Sequence, residues 1–319
     1  MDRPTVLALR ALKLGDLLVA VPALRGLRRG FPDHRIVLAC AGWLRPVAEL
    51  TGAVDDILPT PRGLDIPLDL PPGVVDVAVN LHGNGVDSRG RLEELAPRRR
   101  IGHEAPGWEG PQWRDDIHER ERWVRLISAH GIPGDAADLR LTPPDTDPGV
   151  FGGGPGSAVV HVGAAYPSRH WPVERFAAVV EELLGRGLRV LLTGNDKERA
   201  RALEVAALVD TESATAGARL LVVAGKLSLT QFLAAVAGAS IVVSVDTGAA
   251  HLASAFGRPS VIIFGPATPA QWGPPPGPHR VLTEPSLRRG EAFATEPDPA
   301  LLAVGVPDVV REVDALLRP

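Results

Sequence analysis

The chain has one cysteine, one methionine and one tyrosine in 319 residues, and aromatic residues make up only 4% of it. A single thiol, Cys40, excludes an intramolecular disulfide and a cysteine-rich zinc site, and points to a reducing compartment. No stretch approaches the roughly 18 uninterrupted apolar residues that a membrane-spanning helix needs. Near the start, Arg10, Lys13 and Asp16 interrupt every run that would serve as a signal-peptide core, so a cytoplasmic chain is expected. Charge of one sign is also missing: 34 basic against 38 acidic residues leave a net charge of −4, and no case for nucleic-acid binding. The one basic run, Pro97-Arg98-Arg99-Arg100, reads as a solvated face. There is no Walker loop, no His-Glu-x-x-His, no Gly-x-Ser-x-Gly and no pair of histidines four residues apart. Asp145-Thr146-Asp147 has the D-x-D form that holds a metal in one class of sugar transferases. It lies in a proline-rich stretch, however, and no metal site is expected there.

What is present is alternation. In the first half, apolar runs at 5–9, 35–40 and 74–81 read as strands, with helical patterns near 17–29, 44–50 and 123–130. In the second half, strands are expected at 158–162, 188–193, 220–224, 240–245 and 260–264. Helices near 173–186, 197–208, 229–237 and 249–256 separate them, and a last amphipathic helix covers 307–317. Val-, Ile- and Leu-rich runs that barely alternate are the mark of parallel strands covered on both faces. The expected fold class is therefore α/β, with two Rossmann-like doubly wound parallel-sheet domains facing across a cleft. Residues 141–157, with four prolines and five glycines, form the linker. The domains are placed at 1–148 and 149–319. The glycines at 152–156 precede a strand instead of following one, so they are not a dinucleotide fingerprint.

In open parallel sheets, ligands bind at the carboxyl ends of the strands, near the point where the strand order reverses. Residues that directly follow strands are therefore the candidates. Residues 244–257 read SVDTGAAHLASAFG. Thr247 is placed to cap a helix starting at Gly248, and Gly248 lets another group approach the backbone. The free N–H groups of that helix favour an anion by about 0.3–1 kcal/mol per exposed charge. His251, one turn on, is in position to donate to the same anion, whereas Asp246 suits sugar hydroxyls. Gly163 and Ala164 form a small-residue turn, followed by Ser168 and by Arg169, a natural bidentate partner for phosphate oxygens. Gly194 and Glu198 follow the next strand. Glu198 either holds a ribose hydroxyl or complements the dipole of its own helix. In the first half Arg10, Lys13, Gly15 and Asp16 follow the first strand. Asp16 reads as an N-cap or, alternatively, as a general base at the cleft. Residues 80–88, NLHGNGVDS, read as a polar flexible loop whose His82 and Asn84 are candidates for acceptor contact.

The segments LGDLLVAVPALR, AAYPSRHWP, AGKLSL, SVDTGAAHLA and FGPATP resemble, in order and spacing, the ADP-heptose:lipopolysaccharide heptosyltransferases of glycosyltransferase family nine. The likeness is weakest between about 60 and 150. It implies a GT-B fold and inverting, metal-independent transfer of a sugar, a heptose in that family, from a nucleoside-diphosphate donor, ADP-heptose. The donor is a co-substrate, no separate cofactor is implied, and the second domain holds it. Position by position, Asp16 matches the family's proposed catalytic base. Arg169 stands where the family usually has a lysine facing the donor phosphates. Glu198 resembles the acid near the ribose, Leu227 lies in the segment lining the base pocket, and Asp246, Thr247, Gly248 and His251 match the donor site. Closure of the domains about the linker is expected, with the last helix packing back toward the first domain. A monomer is expected, with at most peripheral membrane contact. The acceptor stays open between a glycan, a lipid-linked sugar and a small-molecule glycoside. Two alternatives remain: a nucleotide-sugar-binding protein that has lost transfer, and a GT-B-like epimerase.

Overall fold

The computed structural model describes residues 3–210 and 218–318. The chain divides into two compact units that meet at Thr142 and Pro143.

The first unit runs β1 (Thr5–Leu9), α1 (Leu14–Gly30), β2 (Arg35–Cys40), α2 (Arg45–Leu50), β3 (Asp56–Pro59), β4 (Val75–Asn80), α3 (Val86–Glu93), β5 (Arg99–Ile101) and α4 (Glu119–Ala129). Its five strands are parallel in the order β3-β2-β1-β4-β5, so the order reverses between β1 and β4. The apolar runs of β1 and β2 are buried because helices cover both faces. Gly26 sets how near α1 comes to α4: a Cβ there would lie 2.3 Å from the Ile127 Cδ1 methyl. Two sequence expectations change. The basic run is not a solvated face alone, since Arg99–Ile101 forms the edge strand β5, with Ile101 buried beneath two exposed arginines. The stretch expected as a flexible loop becomes a helix at Val86, tied back by Asn80 Nδ2 donating to the Ser88 hydroxyl at 3.0 Å.

Beyond β5, His103 is 1% exposed, and its ring meets the edges of Trp113 and Trp123 at centroid distances of 4.8 and 5.9 Å. Neither ring nitrogen has a hydrogen-bond partner among the described residues. Burial, with Arg122 next in effect, pushes this histidine down to about 4. The unfolded ring takes its proton below its ordinary value of 6.5, the folded ring only near 4. Stability from this site is therefore full above pH 6.5 and lost as pH falls through that window, by about 3 kcal/mol in all. The His103→Phe variant should lose correspondingly less stability than the native chain between pH 7 and pH 4.5, measured by denaturant midpoints. Equal losses in both would clear His103.

The second unit runs β6 (Ser157–His161), α5 (Val173–Gly185), β7 (Arg189–Thr193), α6 (Arg199–Leu208), β8 (Leu220–Val222), α7 (Leu229–Gly238), β9 (Ile241–Val245), α8 (Gly248–Phe256), β10 (Ser260–Ile263), α9 (Pro269–Trp272), β11 (His279–Leu282), α10 (Pro299–Leu302) and α11 (Val306–Leu317). Six parallel strands follow the order β11-β10-β9-β6-β7-β8, the order of dinucleotide-binding sheets, and it reverses between β6 and β9. Trp171 is fully buried against Phe176 in the core and donates its indole N–H to the Val304 carbonyl at 3.0 Å. Val309 and Val313 of α11 join the second unit's own core, and Arg186 reaches Asp314 at 2.7 Å.

Candidate active site

In the second unit, His161 of β6 pairs with Ser244 of β9, so the segments that leave these strands emerge side by side. From β9 comes Asp246, 4% exposed, with its N–H donating to the Ile263 carbonyl at 3.0 Å. From the β6 side comes Arg169, whose Nη1 lies 3.4 Å from the Asp246 carbonyl oxygen and 3.7 Å from its Oδ2. On α8, His251 brings Nε2 to 3.8 Å from Asp246 Oδ1 and sets its ring edge-on to Trp272, at a centroid distance of 6.2 Å. One buried carboxylate thus sits between two nitrogen-bearing side chains at a helix N-terminus. Asp246 serves these two groups, a role the sequence did not suggest. Thr247 occupies the N-cap position, but its side chain makes no cap hydrogen bond and pairs with the Ser244 hydroxyl at 2.9 Å instead. Gly248 opens the helix, whose first N–H groups have no intrahelical partners.

Ser168 and Ala164 are buried. The Ser168 hydroxyl donates to Ala292 O at 2.6 Å, its N–H to Ala294 O at 3.2 Å, and its carbonyl accepts from the Asp298 N–H at 3.0 Å. Segment 288–298 therefore clamps the loop that carries Arg169, and Ser168 is its anchor. The Asp298 carboxylate holds that segment's turn by accepting from the Arg289 and Gly290 N–H groups. No sequence signal marked this segment. At the end of β7, Glu198 accepts from the Asn195 N–H at 2.7 Å, closing a capping box, and also lies on Gly163. A Cβ on Gly163 would come 2.1 Å from the Glu198 carboxyl carbon, and one on Gly194 would come 3.0 Å from its Cβ. Both glycines make room for Glu198. Leu227 lies in the turn after β8, which is drawn to the β7 loop by the Gly225 N–H donating to the Gly194 carbonyl at 3.0 Å. Asp147 of the D-x-D stretch caps a short turn through the Gly149 N–H at 2.8 Å. Among the described residues, no group of three or more His, Cys, Asp and Glu side chains is arranged to hold a metal ion.

In the first unit the same logic recurs where β1 and β4 pair, Leu9 opposite Asn80. Asp16 is not the N-cap. Lys13 holds that position and Asp16 stands in the first turn, with Oδ2 accepting from the Lys13 N–H at 3.2 Å and Oδ1 3.8 Å from Arg10 Nη2. Gly15 precedes it in the same turn. His82 follows β4, its N–H donating to Asn80 Oδ1 at 3.1 Å. Burial and then Arg10 push the His82 ring below its ordinary value, and Asp16 opposes them, so it is neutral near pH 7. Asn84 is drawn outward, its amide donating to Glu104 O at 3.4 Å and its oxygen accepting from Arg89 at 3.1 Å. Arg10, assigned no role from the sequence, is buried between these loops.

Two doubly wound parallel-sheet units in one chain, each with its candidate side chains at the point where the strand order reverses, define the GT-B fold class. Residues 145–284 match the model of glycosyltransferase family 9 (heptosyltransferase). The lipopolysaccharide heptosyltransferase 2 of Escherichia coli K12 is 30% identical over 155 residues, covering 47% of this chain. The aligned stretch spans only 43% of that relative. Among solved structures, the E. coli ADP-heptose lipopolysaccharide heptosyltransferase II superposes with a TM-score of 0.79 at 21% identity, over 99% of this chain and 98% of its own. The E. coli heptosyltransferase WaaC with ADP-2-deoxy-2-fluoro heptose does so with a TM-score of 0.69 at 21% identity, over 98% and 99%. At these identities the superpositions show the fold.

Proposed function

We propose that the chain is an inverting, metal-independent glycosyltransferase that moves a heptose from ADP-heptose to an acceptor hydroxyl. The observation that carries this reading is the Arg169–Asp246–His251 group at the N-terminus of α8. It offers a fixed guanidinium, an imidazole and helix N–H groups to a diphosphate. The names of the relatives, one with an ADP-heptose analogue, support the donor.

In this mechanism the second unit holds the donor, and Asp16 of the first takes the proton from the acceptor hydroxyl as that oxygen attacks the anomeric carbon. The glycosidic C–O bond breaks, its electron pair leaves with the diphosphate, and the configuration inverts. Arg169, His251 and the helix N-terminus meet the charge that grows on the leaving group, a term usually among the largest in transfer chemistry. Glu198 is assigned to the ribose, Leu227 to the base pocket, and Lys13, His82 and Asn84 to the acceptor.

A thermal-shift series tests the reading. Each tenfold of ligand over Kd adds about 1.4 kcal/mol of apparent stability. ADP and ADP-heptose should raise the melting point well above what the uridine and guanosine counterparts do. Mass spectrometry should then show a heptosylated product with a lipopolysaccharide-core acceptor. No discrimination among bases would sink the donor assignment. Donor binding without product, across a broad acceptor panel, would favour a binding protein that has lost transfer.

A further inference from the structure

Arg10 is 1% exposed, set at the end of a strand whose Leu7 and Leu9 are fully buried. A guanidinium is costly to remove from water unless hydrogen bonds and opposite charge offset the loss. Here the offsetting contacts run to separate elements. Nε donates to the Asp16 carbonyl in the first turn of α1 at 2.9 Å, Nη1 donates to the Leu81 carbonyl just past β4, and Nη2 faces Asp16 Oδ1. The guanidinium also lies over the Trp123 ring of α4, 4.6 Å from its centroid. A single side chain thus ties the loop after β1 to the loop after β4, at the point where the sheet order reverses. The last backbone bond between them is the Leu81 N–H donating to the Leu9 carbonyl at 3.1 Å.

We propose that Arg10 is a positioning residue: its fork fixes the Asp16 turn and the His82 loop in one geometry. For turnover this rests on the reading of Asp16 as base. Lysine carries the charge but is a point donor without the planar fork that reaches two carbonyls at once. The charges that act on His82 are Arg10, which disfavours its protonation, and Asp16, which favours it.

The test compares native protein with Arg10→Lys, Arg10→Met and Asp16→Asn. It measures ADP release from ADP-heptose with a lipopolysaccharide-core oligosaccharide, and follows the His82 ring titration by NMR. In Arg10→Lys, melting should stay native-like and kcat should fall about 10- to 100-fold, with the donor KM nearly unchanged. The His82 midpoint should rise in Arg10→Met and hold in Arg10→Lys. A native kcat in Arg10→Lys, or an unmoved midpoint in Arg10→Met, overturns the proposal. If Arg10→Met does not fold, the kcat of Arg10→Lys decides. Should Asp16→Asn turn over normally, or the native protein not turn over at all, the base or transferase reading fails. The His82 titration then still decides whether Arg10 holds the two loops.

Discussion

Asp16→Asn is expected to lower turnover by about 10²–10⁴-fold while leaving the affinity for ADP-heptose unchanged. The two halves of this expectation come from different parts of the chain. Asparagine is nearly isosteric, and its side-chain oxygen can still accept from the Lys13 N–H, as Asp16 Oδ2 does at 3.2 Å. What it loses is negative charge, which in the first turn of α1 is worth about 0.3–1 kcal/mol and also faces the buried Arg10 guanidinium at 3.8 Å, and the capacity to take a proton. The side chain is 27% exposed, so a small acceptor can reach it. The groups assigned to the donor all lie in the second unit, so titration with ADP-heptose should match the native protein. Turnover within a few-fold of native would remove Asp16 from the role of base. A parallel loss of donor affinity would point instead to a disturbed fold.

Much of this arrangement was legible in the sequence, for a definite physical reason. Strands covered on both faces must be apolar at nearly every position, so β1, β2, β6, β7, β9 and β10 stand out as unbroken runs. Residues just after such runs fall at the sheet's carboxyl edge, which is why Asp16, Asp246 and His251 stand out as candidates. Edge strands carry less of this signal: β3 is Asp-Ile-Leu-Pro, β5 is Arg-Arg-Ile and β11 is His-Arg-Val-Leu. Their pairing depends on a neighbour that local pattern does not show. Glu198 illustrates a different limit. Its two readings were posed as alternatives, yet the side chain closes a capping box while its carboxyl lies against Gly163, facing the end of β6. Arg10 is the opposite case. It follows a strand as Asp16 does, but its burial rests on the carbonyls of Asp16 and Leu81, far apart in sequence. The clamp on Ser168 was hidden for the same reason, because its partners lie about 125 residues away.

Arg169→Ala should weaken binding of ADP and ADP-heptose by about 10- to 100-fold, the worth of one or two charge-assisted hydrogen bonds in a partly sheltered site. The structure argues for the upper part of that range. Arg169 Nη1 lies 3.7 Å from Asp246 Oδ2, and that carboxylate is 4% exposed. Removing the guanidinium deletes a donor to phosphate and also takes a cation away from a buried negative charge that would repel a phosphate. The two effects act in the same direction. The loop itself should hold, because Ser168, not Arg169, fastens it to segment 288–298. Arg169→Lys restores charge without the planar fork and should recover part of the affinity, more for ADP-heptose than a neutral residue allows but less than the native protein. Arg311→Ala, on the exposed side of the last helix and paired with Asp308 and Glu312, is the control and should bind both ligands normally. Calorimetric titration of the four proteins with ADP and with ADP-heptose decides the matter. Affinity within about twofold of native in Arg169→Ala would remove the arginine from the diphosphate site and leave His251 and the N-terminus of α8 as its remaining candidates.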